Sequence, residues 1–229
     1  MNSESGFLKK DGHFYGRRKS RPMRHTRTQA LEQVIDDYSL EAADDIKTLC
    51  DGRQIWFEIG FGGGEHLAEQ ARQNPDITMI GCEPFLNGAS SLARAMVDHD
   101  LQNIRVWLDD AVPLLNALPD HALDQVFLLF PDPWPKNRHH KRRFIQPHTL
   151  DLLARVMKKG GQLRLATDDN NLAQWMLWHA VQHPAFTWND AQNGDWATAP
   201  DDWVETRYQQ KAAQQGRLAH YILFTRKSD

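Results

Sequence analysis

Ile55-Trp-Phe-Glu-Ile-Gly-Phe-Gly-Gly-Gly-Glu65 decides the fold. An apolar run carries Glu58 near its end, glycines follow at 60, 62, 63 and 64, and Glu65-His-Leu-Ala-Glu-Gln-Ala-Arg72 reads as a helix. Strand, glycine-rich turn and helix in this order make a binding turn for a nucleotide-like group. Glycine permits positive φ and close approach of a ligand to the backbone. The helix start then offers N–H groups without partners.

Outward from this stretch, apolar runs alternate with helical patterns, which predicts βαβ units and a parallel sheet. Strands are expected over 54–59, 77–82, 104–108, 123–130, 161–167, 186–188 and 221–225. Helices are expected over 29–37, behind Thr28 as a cap, and over 40–49, 65–73, 87–99, 111–117, 147–158 and 169–183. Leu123 to Phe130 reads as a central strand buried on both faces. Gly160-Gly161 is expected to end a helix and start a strand. Residues 189–217 are polar and Asp/Gln-rich and read as a long irregular connection.

The 229 residues fit one domain plus an extension. Residues 1–45 are expected to form a basic flexible arm (1–28) and a leading helix, and 46–229 the α/β domain. Cys50 and Cys82 make neither a disulfide framework nor a CxxC pair. No apolar run approaches the ~20 residues that span a bilayer, so a cytoplasmic protein without a membrane partner is expected. The histidines are scattered without ligand spacing, so no metal site is expected. The net charge of −3 hides a segregation: residues 9–27 and 136–143 hold 13 Lys/Arg and one acid, against a net −15 elsewhere. Two basic segments on an acidic body suggest a polyanion partner.

Other motifs follow the glycine turn in order. Glu83 closes the second strand, where a doubly wound sheet meets a ribose. Asp109-Asp110-Ala111 ends the third strand, where a carboxylate can accept from an adenine amine. Pro131-Asp-Pro-Trp134 ends the fourth. Dinucleotide and S-adenosylmethionine sites both use such a layout. An acid before the loop repels a pyrophosphate and suits a cationic amino-acid group, which favours methyl transfer. Taken singly, Glu83 and Asp110 read equally well as helix caps, and an Asx turn is the lesser alternative for Asp132.

Pro131-Asp-Pro-Trp-Pro-Lys-Asn-Arg-His-His-Lys-Arg-Arg143 resembles the bacterial tRNA (guanine-N7-)-methyltransferase family. Glu58 to Gly64, Leu165-Ala-Thr-Asp168 and Thr206-Arg-Tyr-Gln209 resemble its other motifs. The resemblance implies a Rossmann-like class I methyltransferase with a mostly parallel seven-stranded sheet and helices on both faces. It implies methylation of guanine N7 in the tRNA variable loop, at position 46. It places S-adenosylmethionine at Glu58, Gly60, Gly62, Gly64, Glu83, Asp110, Ala111 and Asp132, with Asp132 as the catalytic residue. It places Lys136, Asp168, Thr206, Arg207, Tyr208 and Gln209 against the substrate. Arg138, His139, His140, Lys141, Arg142 and Arg143 become an RNA-contacting loop. Gln209 departs from the pattern, which has Glu there. The assembly is expected to be a monomer or homodimer.

Overall fold

A computed structural model describes residues 25–40, 49, 52–189 and 196–228. Seven strands form one sheet in the order β3-β2-β1-β4-β5-β7-β6. They are β1 (Ile55–Ile59), β2 (Thr78–Cys82), β3 (Ile104–Trp107), β4 (Leu123–Leu129), β5 (Met157–Thr167), β6 (Phe186–Trp188) and β7 (His220–Arg226). β1 to β5 are mutually parallel, and β7 runs antiparallel between β5 and β6. The helices are α1 (His25–Tyr38), α2 (Glu65–Gln73), α3 (Leu86–Asp98), α4 (Ala111–Ala117), α5 (Pro147–Val156), α6 (Asn170–Gln182) and α7 (Arg207–Gln214).

The two-residue period of β4 divides the core. Val126 and Leu128 join one cluster with Leu114, Leu153 and Met176 from α4, α5 and α6. Phe127 and Leu129 face the other side with Tyr221. On that side, Leu31 and Val34 of α1 pack with Leu67 of α2 and Leu92 and Met96 of α3. The leading helix is therefore part of the packed body. It begins at His25, so the last four residues of the expected arm are helical. The rest of the arm, and the helix expected over 40–49 apart from Leu49, lie outside the described residues.

Two sequence expectations fail. Gly160-Gly161 does not separate helix from strand: α5 ends at Val156, and β5 starts at Met157. Val156 and Met157 are fully buried and carry the chain straight into the sheet. The glycines instead form a bulge, where the β4–β5 register jumps between Leu123 and Gln125. A Cβ on Gly161 would meet the carbonyl oxygens of Lys158 and Asp124 at 2.8 and 2.9 Å. Asp124 locks the bulge by accepting from Lys158 Nζ and from the Ile55 amide, at 2.8 Å each. Second, the stretch read as irregular contains α7. Thr206 caps it, its Oγ1 accepting from the Gln209 amide at 3.2 Å.

Candidate active site

The C-terminal ends of the parallel strands open onto a cavity of about 830 Å³. Of the expected cofactor residues, Gly60, Gly62, Glu83, Asp110, Ala111 and Asp132 line it. Glu83 ties the end of β2 to the glycine loop. Its Oε2 accepts from the Gly62 amide at 2.9 Å and its Oε1 from the Phe85 amide at 2.8 Å. Burial pushes the Glu83 carboxyl above its usual range, the two amides oppose this, and the Asp132 and Glu58 charges add to it. Asp110 is also the cap of α4, its Oδ1 accepting from the Val112 amide at 2.8 Å.

Glu58 and Gly64 do not line the cavity. Glu58 is 3% exposed, and its Oε2 meets His66 Nδ1 at 2.7 Å. The His66 ring stands edge-on to Phe127 with centroids 4.8 Å apart, and next to Trp203. Gly64 serves packing: with φ 75, a Cβ there would lie 2.6 Å from the Leu92 Cβ. Gly88 serves the same purpose from α3, since a Cβ there would strike the Gly62 carbonyl oxygen at 2.2 Å. Sequence reading missed both His66 and Gly88. The available signals were a histidine on the first turn after the glycine loop and the small-residue run Gly88-Ala-Ser-Ser91.

The Pro131–Pro133 turn is bounded by two left-handed residues, Phe130 (φ 49) and Trp134 (φ 44). Non-glycine residues in this region are uncommon and concentrate at functional sites. The turn leaves Asp132 exposed on the cavity wall. A 3₁₀ helix, Asn137–Arg142, follows, with Lys136 exposed at its start. The Arg142 guanidinium lies 4.8 Å over the Trp134 ring, and His139 meets that ring edge-on. Lys141 and Arg142 reach the cavity lining, whereas Lys136, Arg138, His139 and His140 do not. Local desolvation and then the surrounding Arg142, Arg138, Lys136 and Lys141 charges lower the His139 pKa.

Arg143 does not fit the expectation of an RNA contact. It is 2% exposed, donates from Nε to the Pro133 carbonyl at 3.0 Å and from Nη2 to Asn171 Oδ1 at 2.6 Å, and stacks on Trp175. Its guanidinium braces the turn that presents Asp132. Nε and Nη2 are engaged by fixed acceptors, so the buried guanidinium, which also lines the cavity, is not placed to grip a phosphate at the outer surface.

A second cavity of about 190 Å³ lies beyond Phe130, which lines both. Asp168 and Gln209 line it, together with Tyr221 and Arg217. Gln209 Oε1 accepts from Trp203 Nε1 at 2.7 Å, and its Nε2 donates to the Tyr221 hydroxyl at 2.6 Å. Thr206 contributes the helix cap, and Arg207 opens α7 with Tyr208 behind it. Among the described residues, no group of three or more His, Cys, Asp or Glu is placed to hold a metal. Among them, no helix is long and apolar enough to cross a membrane.

A sheet of this order, with acids and a glycine loop at its strand ends, defines a Rossmann-like class I methyltransferase fold. The 16S rRNA methyltransferase KamB shares it with a TM-score of 0.55 at 16% identity, over 82% of this chain and 95% of that one. An rRNA methylase from Streptococcus thermophilus shares it with a TM-score of 0.53 at 12% identity, over 81% and 94%. At such identities the likeness is one of fold. Residues 52–222 match the model of a family described as putative methyltransferase. The tRNA (guanine-N(7)-)-methyltransferase of Rhodospirillum rubrum is 44% identical, over 95% of this chain and 89% of its own length. That of Mesorhizobium japonicum is 42% identical, over 93% and 94%. The chain belongs to the tRNA (guanine-N(7)-)-methyltransferase family.

Proposed function

We infer that this chain transfers a methyl group from S-adenosylmethionine to N7 of a guanine in tRNA. The observation that carries the reading is the position of Asp132, between a glycine-and-acid cavity and an exposed basic turn. The residues present fit the cofactor. Glu83 receives two backbone amides and keeps lone pairs for ribose hydroxyls. Gly60 and Gly62 line the cavity with backbone alone, leaving room for the amino-acid end. Asp110 and Ala111 border the region suited to the adenine ring. The bound cofactor supplies an electrophilic methyl group on a sulfonium. Glu58 acts from behind the loop, held in place by its contact with His66.

Guanine N7 carries a free lone pair at neutral pH, so no base is needed to create the nucleophile. The protein's task is alignment, which is catalysis by proximity and orientation. Asp132 stands beside the ring as it is alkylated and offsets the positive charge that develops on it. Asp168 and the Thr206–Gln209 segment bound the base pocket. Lys136, Arg138, Lys141 and Arg142 hold RNA phosphates, and Trp134 stacks beside them. N7 lies in the deep, narrow groove of folded RNA, so the base must be turned out to be reached. The variable-loop guanine at position 46 and a cytoplasmic setting belong to the same reading.

The test is incubation with unmodified tRNA and labelled S-adenosylmethionine, followed by nucleoside mapping. The expected product is a single 7-methylguanosine in the variable loop. Label at another atom or base, or none in tRNA, overturns the reading.

A further inference from the structure

The second cavity contains an ion pair that neither helix capping nor sheet pairing requires. Asp168 stands just past β5 with a side chain only 7% exposed, and its Oδ2 pairs with Nη1 of Arg217, which is 44% exposed. The Arg217 backbone is pinned. The Gly216 amide donates to the Ala213 carbonyl at 2.9 Å, and the Arg217 amide to the Ala212 carbonyl at 3.1 Å, which makes a Schellman close to α7. Side-chain contacts, not the backbone, therefore decide whether the guanidinium stays on Asp168. Gln215 Oε1 accepts from Arg217 Nη2 at 2.8 Å, at the exposed side of the pair. Leu218, 76% exposed, lines the same cavity.

A guanidinium can offer a carboxylate two parallel N–H donors in one plane; here Nη1 meets Asp168 while Nη2 is turned to Gln215. The N1–H and N2–H groups of guanine form a similar flat pair. Adenine presents an acceptor at N1, and hypoxanthine lacks the N2 amine. We propose that Arg217 is a built-in stand-in for the substrate base: its Nη1 occupies on Asp168 the place of one donor of the guanine's two-donor edge, and the arginine must swing out before the base enters. This rests on the reading of Asp168 as a base contact. A guanine so held keeps N7 on its opposite, imidazole side, free to face the first cavity past Phe130, which both cavities share. Leu218 is then placed to cover the inserted ring.

The exchange keeps a nearly buried carboxylate from standing unpaired, which is costly in either state. It also limits what Arg217 can do. Every base must displace the same arginine, so Arg217 lowers affinity without changing the preference for guanine over adenine. That preference belongs to Asp168, because a site built to receive two donors rejects a base lacking one. If the pair is closed nine-tenths of the time, apparent affinity falls about tenfold.

Arg217→Ala and Arg217→Gln are to be assayed with tRNA, and with a transcript carrying adenine at the target position as a competing ligand. The expected result is a KM for tRNA lower by about tenfold, a change larger than any in kcat, with the guanine-to-adenine ratio of affinities kept. Guanidinium chloride in the low-millimolar range should then compete with tRNA in Arg217→Ala, but not in the Asp168→Asn/Arg217→Ala double variant. An unchanged or raised KM in both Arg217 variants, or no competition by guanidinium, overturns the proposal. If Asp168→Asn alone leaves KM and base preference unaltered, the base contact itself is refuted, and that failure is separately visible. Thermal melting identifies any variant that does not fold, and Arg217→Gln, closest in size, then carries the test.

Discussion

Glu58 Oε2 and His66 Nδ1 meet at 2.7 Å, with neither side chain more than 4% exposed. The acid that precedes the glycine loop is thus fixed by the helix that follows it. Removing the imidazole leaves a buried carboxylate without this partner. His66→Ala is expected to cost about 3 kcal/mol, read as a lower urea midpoint at unchanged slope. Glu58→Gln, whose amide still bonds the ring, should cost about 1 kcal/mol.

Glu83 receives one backbone amide on each oxygen. Glutamine has one oxygen, and its NH₂ would oppose the second amide. Glu83→Gln is therefore expected to weaken S-adenosylmethionine binding by about tenfold or more, roughly one charge-assisted hydrogen bond, measured by titration calorimetry. The pH dependence has a definite sign. The folded pKa is raised, chiefly by burial, so the folded state takes up this proton at higher pH than the unfolded chain. The Glu83 contribution to stability then grows as pH falls through that raised value. Cofactor affinity falls over the same range, because the protonated carboxyl has lost acceptor capacity.

Asp132 is the exposed carboxylate on the cavity wall, at the turn braced by Arg143. Asp132→Ala should slow single-turnover methylation by about 100-fold, the scale of one electrostatic group acting on the transition state. Cofactor affinity should change far less. Unaltered turnover would remove Asp132 from the mechanism.

Gln209 stands where the family pattern has glutamate, and its surroundings show what the amide does. It accepts from the Trp203 indole and donates to the Tyr221 hydroxyl. Gln209→Ala strands both groups and should cost about 2 kcal/mol. Gln209→Glu should be close to neutral at pH 7, because the hydroxyl can turn and donate to a carboxylate. Burial already raises the Tyr221 pKa, with Glu205 adding to it and the Gln209 bond opposing it. The added charge in Gln209→Glu should raise it further, visible by ultraviolet titration.

His139 sits among four cations that, after desolvation, hold its pKa down. Phosphates laid along this turn would offset those charges. Binding of tRNA should therefore raise the His139 pKa, followed through its ring protons by NMR. A pKa that stays put in the saturated complex would place the RNA elsewhere.

The sheet was legible because its strands are short apolar runs between helical patterns, and the strand ends carried the acids and glycines in order. What escaped the sequence is telling. Arg143 belongs to a basic run, and nothing in the run distinguishes the buried arginine from its exposed neighbours; only the Pro133 carbonyl and Asn171, 28 residues away, make it structural. The Glu58–His66 pair was hidden because one partner looked like a ligand contact and the other was one residue among many in the predicted helix. Helix α7 was lost because its polar composition resembles a loop, although Thr206-x-x-Gln209 has the form of a capping box. The Gly160-Gly161 bulge was mistaken because glycine pairs serve helix ends and strand irregularities alike.

The strand order β5-β7-β6 also has a consequence for biosynthesis. A chain emerging from the ribosome delivers its N-terminal parts first. The residues that line the first cavity all lie between 59 and 149, and its last brace, Arg143 on Asn171 and Trp175, is complete once α6 has emerged. β6 finds its partner only when residues 220–226 have emerged, and until then β5 is an unpaired edge open to wrong partners. The second cavity, lined from Phe130 to Tyr221, waits for the same event. On a nascent chain, the pocket assigned to the methyl donor matures before the pocket assigned to the base.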